Sequence, residues 1–288
     1  MYAITGITGQ VGSAIAKILL EKNLPVRAVI RNQAKAKQWL DLGAEVAIAE
    51  LGDADALAAA FEGTEGVFVM TPPLFDSHNP MGDHEQMLIA LSSAIKIARP
   101  KKVVFLSSIG AHQEIGTGAI KKLYDMEQAF GRLTIPCAGI RAGWFMENFI
   151  GSIDAARQTG TLQSFIHPID LAIPMIAASD IGKLAAELLT TEWTTHRIIE
   201  LEGPCKYSAK DVAMILSYHF KQNIEASAIP ENDYAATYES FGFTPEAADL
   251  MAEMNRAFNS RWIDFTGKEV EIITGSTLLE DVLRNYIQ

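Results

Sequence analysis

At 288 residues, 49% hydrophobic and 20% charged, the chain has the composition of an ordinary globular protein, which excludes intrinsic disorder and leaves room for one large α/β domain or a nucleotide domain with a smaller appendage. A formal charge of -11, from 35 acidic and 24 basic residues, argues against a broad nucleic-acid-binding surface. No apolar run reaches membrane-spanning length, no leader precedes the first strand, and Cys137 and Cys205 are too few and too distant for a disulfide framework or metal site, so the expectation is a soluble, unprocessed protein of a reducing cytoplasm.

The short apolar run Met1 to Thr5 reads as a strand and is followed by Gly6-Ile7-Thr8-Gly9-Gln10-Val11-Gly12. In the next stretch Ala14, Ile15, Ile18 and Leu19 recur at helical spacing, which places the glycines at a strand-to-helix turn. Such a turn can hold a phosphate. The first glycine permits the tight turn, the second lets a pyrophosphate approach the main chain, and the third lets helix and strand pack closely, while the helix N-terminus offers unpaired N–H donors. Pro25 to Ile30 supplies the second strand of a βαβ unit, and its end carries Arg31. An acid at that position would favour NAD, whereas an arginine accommodates the 2′-phosphate of NADP. No acid occurs between Pro25 and Gln38, where Arg27, Arg31, Lys35 and Lys37 all lie. Arg31 is the chosen candidate, because Arg27 alternates with buried positions and the lysines suit a solvated helix face.

The third strand is expected over Glu45 to Leu51, with Asp53 capping the helix Ala54 to Phe61 and also placed near the adenine. Gly66 to Thr71 is a continuous apolar run suited to a central parallel strand, and Thr71-Pro72-Pro73 ends it. A polar loop to Gly82, a helix over Asp83 to Ala98 and a strand over Lys102 to Ser108 follow. In an open parallel sheet ligands gather beyond the carboxyl ends of the strands, so Gly6, Arg31, Asp53, Thr71 and Ser107 are expected around one crevice.

Ala119 to Phe130 reads as a helix bearing Lys121, Lys122, Tyr124 and Glu127, and Pro136 to Ala142 as a strand. Gly143 to Asn148 is expected to begin another helix, with Trp144 and Phe145 either walling a flat substrate or packing. Beyond Gly160 the βα rhythm loosens. Helices are expected over Ile181 to Leu189, after Ser208, across Tyr234 to Phe258 with a break at Gly242 to Pro245, and over Thr277 to Tyr286, with one strand at Arg197 to Leu201. The fold class is therefore α/β, a Rossmann-type doubly wound parallel sheet over 1–150 and a smaller, mostly helical substrate region over 151–288, with a soft boundary and segments that return to the first domain.

Gly6-x-x-Gly9-x-x-Gly12, Val-Ile-Arg31-Asn, Leu51-Gly52-Asp53, Gly139-Ile-Arg-Ala-Gly-Trp-Phe-Met-Glu-Asn148 and Ala178-Ser-Asp180-Ile-Gly182 together resemble the NmrA-like branch of the atypical short-chain dehydrogenases. The resemblance implies NADP(H) binding, with Gly6, Thr8, Gly9, Gln10, Val11 and Gly12 at the pyrophosphate and Arg31 at the 2′-phosphate. It further implies Thr71, Pro72 and Ser107 at the ribose and nicotinamide, and Trp144, Phe145 and Asn148 in the substrate pocket. Lys122 is the candidate for the nicotinamide ribose, with Tyr124 as the alternative for that catalytic role. The family holds oxidoreductases and also regulators that bind the nucleotide without turning it over, and the fold does not choose between them.

Ordinary short-chain dehydrogenases use Tyr-x-x-x-Lys to exchange a proton with a carbonyl oxygen, yet none of the seven tyrosines here has Lys at that spacing, and Tyr124 is followed by Gln128. A simple ketone would then develop its alkoxide with little stabilisation. An acceptor that delocalises the charge needs less help. The six histidines form no H-E-x-x-H pattern, and Ser107 and Ser108 lack the G-x-S-x-G elbow, so neither a metal site nor a serine nucleophile is expected. The expectation is an oxidoreductase that passes a hydride from NADPH to a small electron-poor acceptor such as a quinone. A non-catalytic NADP(H) sensor with a protein partner is the alternative, and a sugar epimerase a weaker third. The protein is expected to be a monomer or homodimer.

Overall fold

In the computed structural model, which describes residues 1–268 and 270–287, the first half alternates strand and helix: β1 (Tyr2–Ile4), α1 (Gln10–Glu21), β2 (Val26–Ile30), α2 (Ala36–Asp41), β3 (Glu45–Ile48), α3 (Ala54–Phe61), β4 (Gly66–Val69), α4 (Pro80–Ala98), β5 (Val103–Ser108), α5 (Lys121–Phe130) and β6 (Cys137–Ala142). β4 and β6 are buried at every residue, as parallel strands covered on both faces require. Helix α4 starts three residues earlier than its apolar pattern suggests, because Asn79 caps it by accepting from the Gly82 N–H and Pro80 fits the first helical position.

The second half contains β7 (Trp144–Phe145), α6 (Ile153–Thr159), β8 (Thr161–Ser164), β9 (Ile173–Ile176), α7 (Ala178–Thr190), β10 (Arg197–Glu202), β11 (Lys206–Tyr207), α8 (Ala209–Phe220), β12 (Glu225–Ala228), α9 (Tyr234–Ser240), α10 (Pro245–Asn259), β13 (Glu271–Thr274) and α11 (Leu279–Arg284). One expectation is corrected by these elements: Gly143 to Asn148 does not begin an α-helix but gives the short strand β7 and then a 3-10 helix over Met146–Ser152. Among its helices the later region also carries short strands, with β7, β9 and β11 forming one small sheet and β8 and β12 another. Strands of two to four residues are too short to show an alternating pattern, which is why the sequence hides them.

One eight-stranded sheet in the order β13-β10-β6-β5-β4-β1-β2-β3 runs through the molecule, and all its paired neighbours are parallel. The order reverses between β1 and β4, so the crevice at their carboxyl ends is the topological switch point. On one face α1 and α7 bury Ile15, Leu19, Ile181, Leu184 and Leu188, each stabilising by about 1.5–3 kcal/mol. On the other, Leu57, Phe61, Leu91, Ile95, Met126 and Phe130 of α3, α4 and α5 cover the sheet. A further core joins Ile109 and Ile120 of the first half to Phe149, Leu216, Met254, Phe258 and Leu283. Thus β10 and β13 complete the large sheet and α7 covers it although they fall late in the chain, while α10 brings Met254 and Phe258 to the carboxyl end of β5.

Candidate active site at the carboxyl ends of the central strands

At the switch point a crevice of about 430 Å³ is lined by Gly6, Thr8 and Gly9 on one side and Thr71, Pro72 and Pro73 on the other. Gly6 has φ +61°, and a Cβ there would lie 2.5 Å from the Met70 side chain. At Gly12 a Cβ would come 2.4 Å from the Gly6 carbonyl oxygen, so only glycine lets α1 start this close to β1. Gly9 is the N-cap of α1 and no side chain caps the helix. The N–H groups of its first turn, Gln10, Val11 and Gly12, are therefore left for an external anion. A diphosphate fits this cradle.

Arg31 lines the same crevice, and its guanidinium has no salt-bridge or hydrogen-bond partner among the described residues. Lys35 also lines it, a residue the helical reading had assigned to a solvated face. The other two cations are committed elsewhere: Arg27 donates to Glu45 and to the Ala60 and Glu62 carbonyls, and Lys37 pairs with Asp41 at 2.6 Å. Asp53 Oδ1 accepts from the Asp55 and Ala56 N–H groups as the cap of α3, and the neighbouring Glu50, Leu51 and Gly52 line the crevice wall.

Met70 and Thr71 also border a second cavity of about 180 Å³, lined by Leu106, Ser107, Ser108, Trp144, Phe145, Asn148, Met254 and Phe258 among others. Trp144 stands edge-on to Phe258, with ring centroids 5.0 Å apart at 86°. Among the described residues no Asp, Glu, Lys, Arg or His lines this cavity, whose volume suits a single ring better than an extended ligand. Met254 and Phe258 were invisible to motif reading, because α10 contributes them from more than a hundred residues beyond the strand ends.

A chain of four polar side chains runs back from the cavity wall. Ser107 donates to Glu127 Oε1 at 2.5 Å, so its proton points away from the cavity. Glu127 is held by a bidentate pair with Arg141 at 2.9 and 2.7 Å. Arg141 reaches Glu200 at 3.5 Å, and Glu200 accepts from the backbone N–H groups of Thr266 and Gly267. These charges are buried and paired, the condition under which burial is tolerable.

Lys122 and Tyr124 are not among the residues lining the two cavities, and Lys122 stands directly behind the crevice wall. Lys122 Nζ donates to the Pro73 carbonyl at 2.9 Å, and burial lowers its ammonium to about 8. Tyr124 lies under the Lys121 ammonium, 4.9 Å from its ring centroid. A residue the sequence reading passed over sits in this shell: His84 Nε2 is 3.2 Å from Thr71 Oγ1, and burial, with the Lys122 charge, lowers the imidazole to about 4. Only its position on the buried face of α4 could have flagged it.

Residues 2–273 match the profile of the NmrA-like family. The chain belongs to the NmrA-like family. Among curated relatives in this group, the NAD(P)H azoreductase of Xenophilus azovorans is 28% identical over 255 residues, covering 88% of this chain and 86% of that protein. Quinone oxidoreductase 2 of Escherichia coli (strain K12) is 27% identical over 257 residues, with 88% and 86% covered. The crystal structure of an NADPH-dependent quinone oxidoreductase from Escherichia coli, complexed with NADPH, superposes with a TM-score of 0.83 at 23% identity over 100% of both chains, which shows the shared Rossmann-like fold. Among the described residues no three His, Cys, Asp or Glu side chains gather as metal ligands, and no helix is long and apolar enough to cross a membrane.

Proposed function

We propose that this NmrA-like protein is an NADPH-dependent oxidoreductase that reduces a small, flat, electron-poor acceptor of the quinone class. The observation that carries the reading is the shared wall: Met70 and Thr71 border both the glycine-turn crevice and the uncharged aromatic cavity, so a nucleotide in one abuts an acceptor in the other. NADPH held there supplies a hydride from C4 of its nicotinamide.

The chain's own contribution is binding and alignment. Gly6, Thr8, Gly9 and the first turn of α1 take the pyrophosphate, and Arg31 with Lys35 takes the 2′-phosphate by charge-assisted hydrogen bonds. Thr71 and Pro72 form the nicotinamide side. Trp144, Phe145 and Phe258 sandwich a ring and exclude water, with Asn148 at the rim. Lys122 donates one N–H to the Pro73 carbonyl behind the nicotinamide side and keeps further donors for the ribose. Holding two reactants in register supplies much of the rate when the acceptor itself delocalises the incoming charge. The relatives named for azo and quinone reduction support this chemistry. Both cysteines are free, which suits a reducing cytoplasm.

NADPH oxidation by the purified protein against substituted benzoquinones, azo dyes and simple ketones, with NADH in parallel, tests the reading. Turnover of benzoquinones with NADPH preferred is the expected result. Tight NADPH binding without turnover of any acceptor would retire it.

A further inference from the structure

Three hydroxyl side chains line the acceptor cavity, those of Thr71, Ser107 and Ser108. Two have their protons committed: Ser107 donates to Glu127 Oε1 at 2.5 Å and Ser108 to the Ile109 carbonyl at 3.0 Å. Thr71 differs. Its Oγ1 is 3.2 Å from Nε2 of His84, a side chain 1% exposed on the inner face of α4. Burial and the Lys122 cation keep this imidazole neutral, so one ring nitrogen donates and the other accepts. With the proton on Nε2, His84 donates to Thr71 and the Thr71 O–H is free to turn into the cavity. With the proton on Nδ1, Thr71 must spend its O–H on His84. Lys122 adds a positive charge behind the same strap through its bond to Pro73.

We propose that His84, in its Nε2–H form, is a positioning residue that aims the Thr71 hydroxyl at the acceptor oxygen on which negative charge builds during reduction. The inference rests on the reading of the protein as an NADPH-dependent reductase of quinone-like acceptors. The pair then fills the place left by the missing Tyr-x-x-x-Lys, with one difference: it donates a hydrogen bond and no proton. The acceptor gains the electron pair and hydrogen of the hydride, the nicotinamide is oxidised in return, and the resulting oxyanion takes its proton from solvent. Neither Thr71 nor His84 changes its protonation state. A preorganised donor of this kind lowers the barrier because it is already aimed where charge appears.

The test uses the full-length protein, 2,6-dimethyl-1,4-benzoquinone and NADPH, with Thr71→Val, His84→Phe, His84→Gln and the Thr71→Val/His84→Phe double variant. Thr71→Val and His84→Phe are each expected to lower kcat at least about tenfold. The double variant should lose no more than the worse single one, since both remove the same donor. His84→Gln, which keeps a side-chain N–H, should recover most of the rate. NADPH affinity, read by nucleotide fluorescence, should stay within about twofold in His84→Phe and His84→Gln, because His84 lines neither cavity. Nitrogen-15 spectra of the NADP-bound protein should show His84 protonated at Nε2. Additive losses, a loss of NADPH affinity in place of kcat, an Nδ1–H tautomer, or unchanged kcat in Thr71→Val would each overturn the proposal. If His84→Phe fails to fold, Thr71→Val and His84→Gln still decide it. A wild type that reduces no quinone would overturn the underlying function as well, whereas active wild type with unchanged Thr71→Val overturns this inference alone.

Discussion

The two cavities that meet at Thr71 are made of different material. The crevice proposed for the nucleotide has glycine backbone at Gly6, Gly9 and Gly52 and the open first turn of α1 in its wall, with the cations Arg31 and Lys35 beside them. The acceptor cavity is walled by apolar side chains brought from β5, β7 and α10. A site made of backbone recognises what is common to a class of ligands, and a site made of side chains recognises what is particular to one. The comparison implies that the two should fail separately when altered.

The largest effect is expected at Gly12. Gly12→Ala places a Cβ 2.4 Å from the Gly6 carbonyl oxygen and should abolish measurable NADPH binding in a fluorescence titration. Phe258→Ala addresses the other cavity. It removes a ring that is 3% exposed and edge-packed on Trp144, so chemical denaturation should show a loss of about 3–5 kcal/mol. NADPH affinity should be unchanged while bulkier quinones become acceptable; a variant that loses the nucleotide instead would break the separation.

The next effect sits on the shared wall. His84 has an ordinary value near 6.5 and a folded value of about 4, so below pH 6.5 the unfolded chain takes up a proton that the folded protein does not. Its contribution is present above pH 6.5 and drains away as the pH falls to 4, by about 3 kcal/mol in all. Urea denaturation of wild type and His84→Gln across this range should show that slope reduced in the variant. The smallest effect concerns Arg31: Arg31→Ala should cost about 1.5–3 kcal/mol for NADPH and little for NADH. Equal losses for both nucleotides would move the 2′-phosphate contact to Lys35.

The same difference in material explains what could be read from the sequence. The glycine turn, Arg31 and the Thr71-Pro72 strand end are each announced locally, because a phosphate cradle demands glycine at fixed spacing and a parallel strand demands an unbroken apolar run. Met254 and Phe258 carry no such mark, since an apolar residue facing a cavity is spelled like one facing the core. Asp53 was legible as a cap, since an Asp just before a helical run can accept from its first N–H groups, and its Oδ1 does so. Lys122 shows the limit most plainly: the right helix was found, yet only packing reveals that its ammonium grips Pro73 from behind.

The chain order of the two cavities also fixes their order of appearance during synthesis. Every residue lining the nucleotide crevice lies at or before Met87, while the acceptor cavity waits for Phe258. A ribosome therefore releases the parts of a nucleotide binder long before it releases those of a reductase.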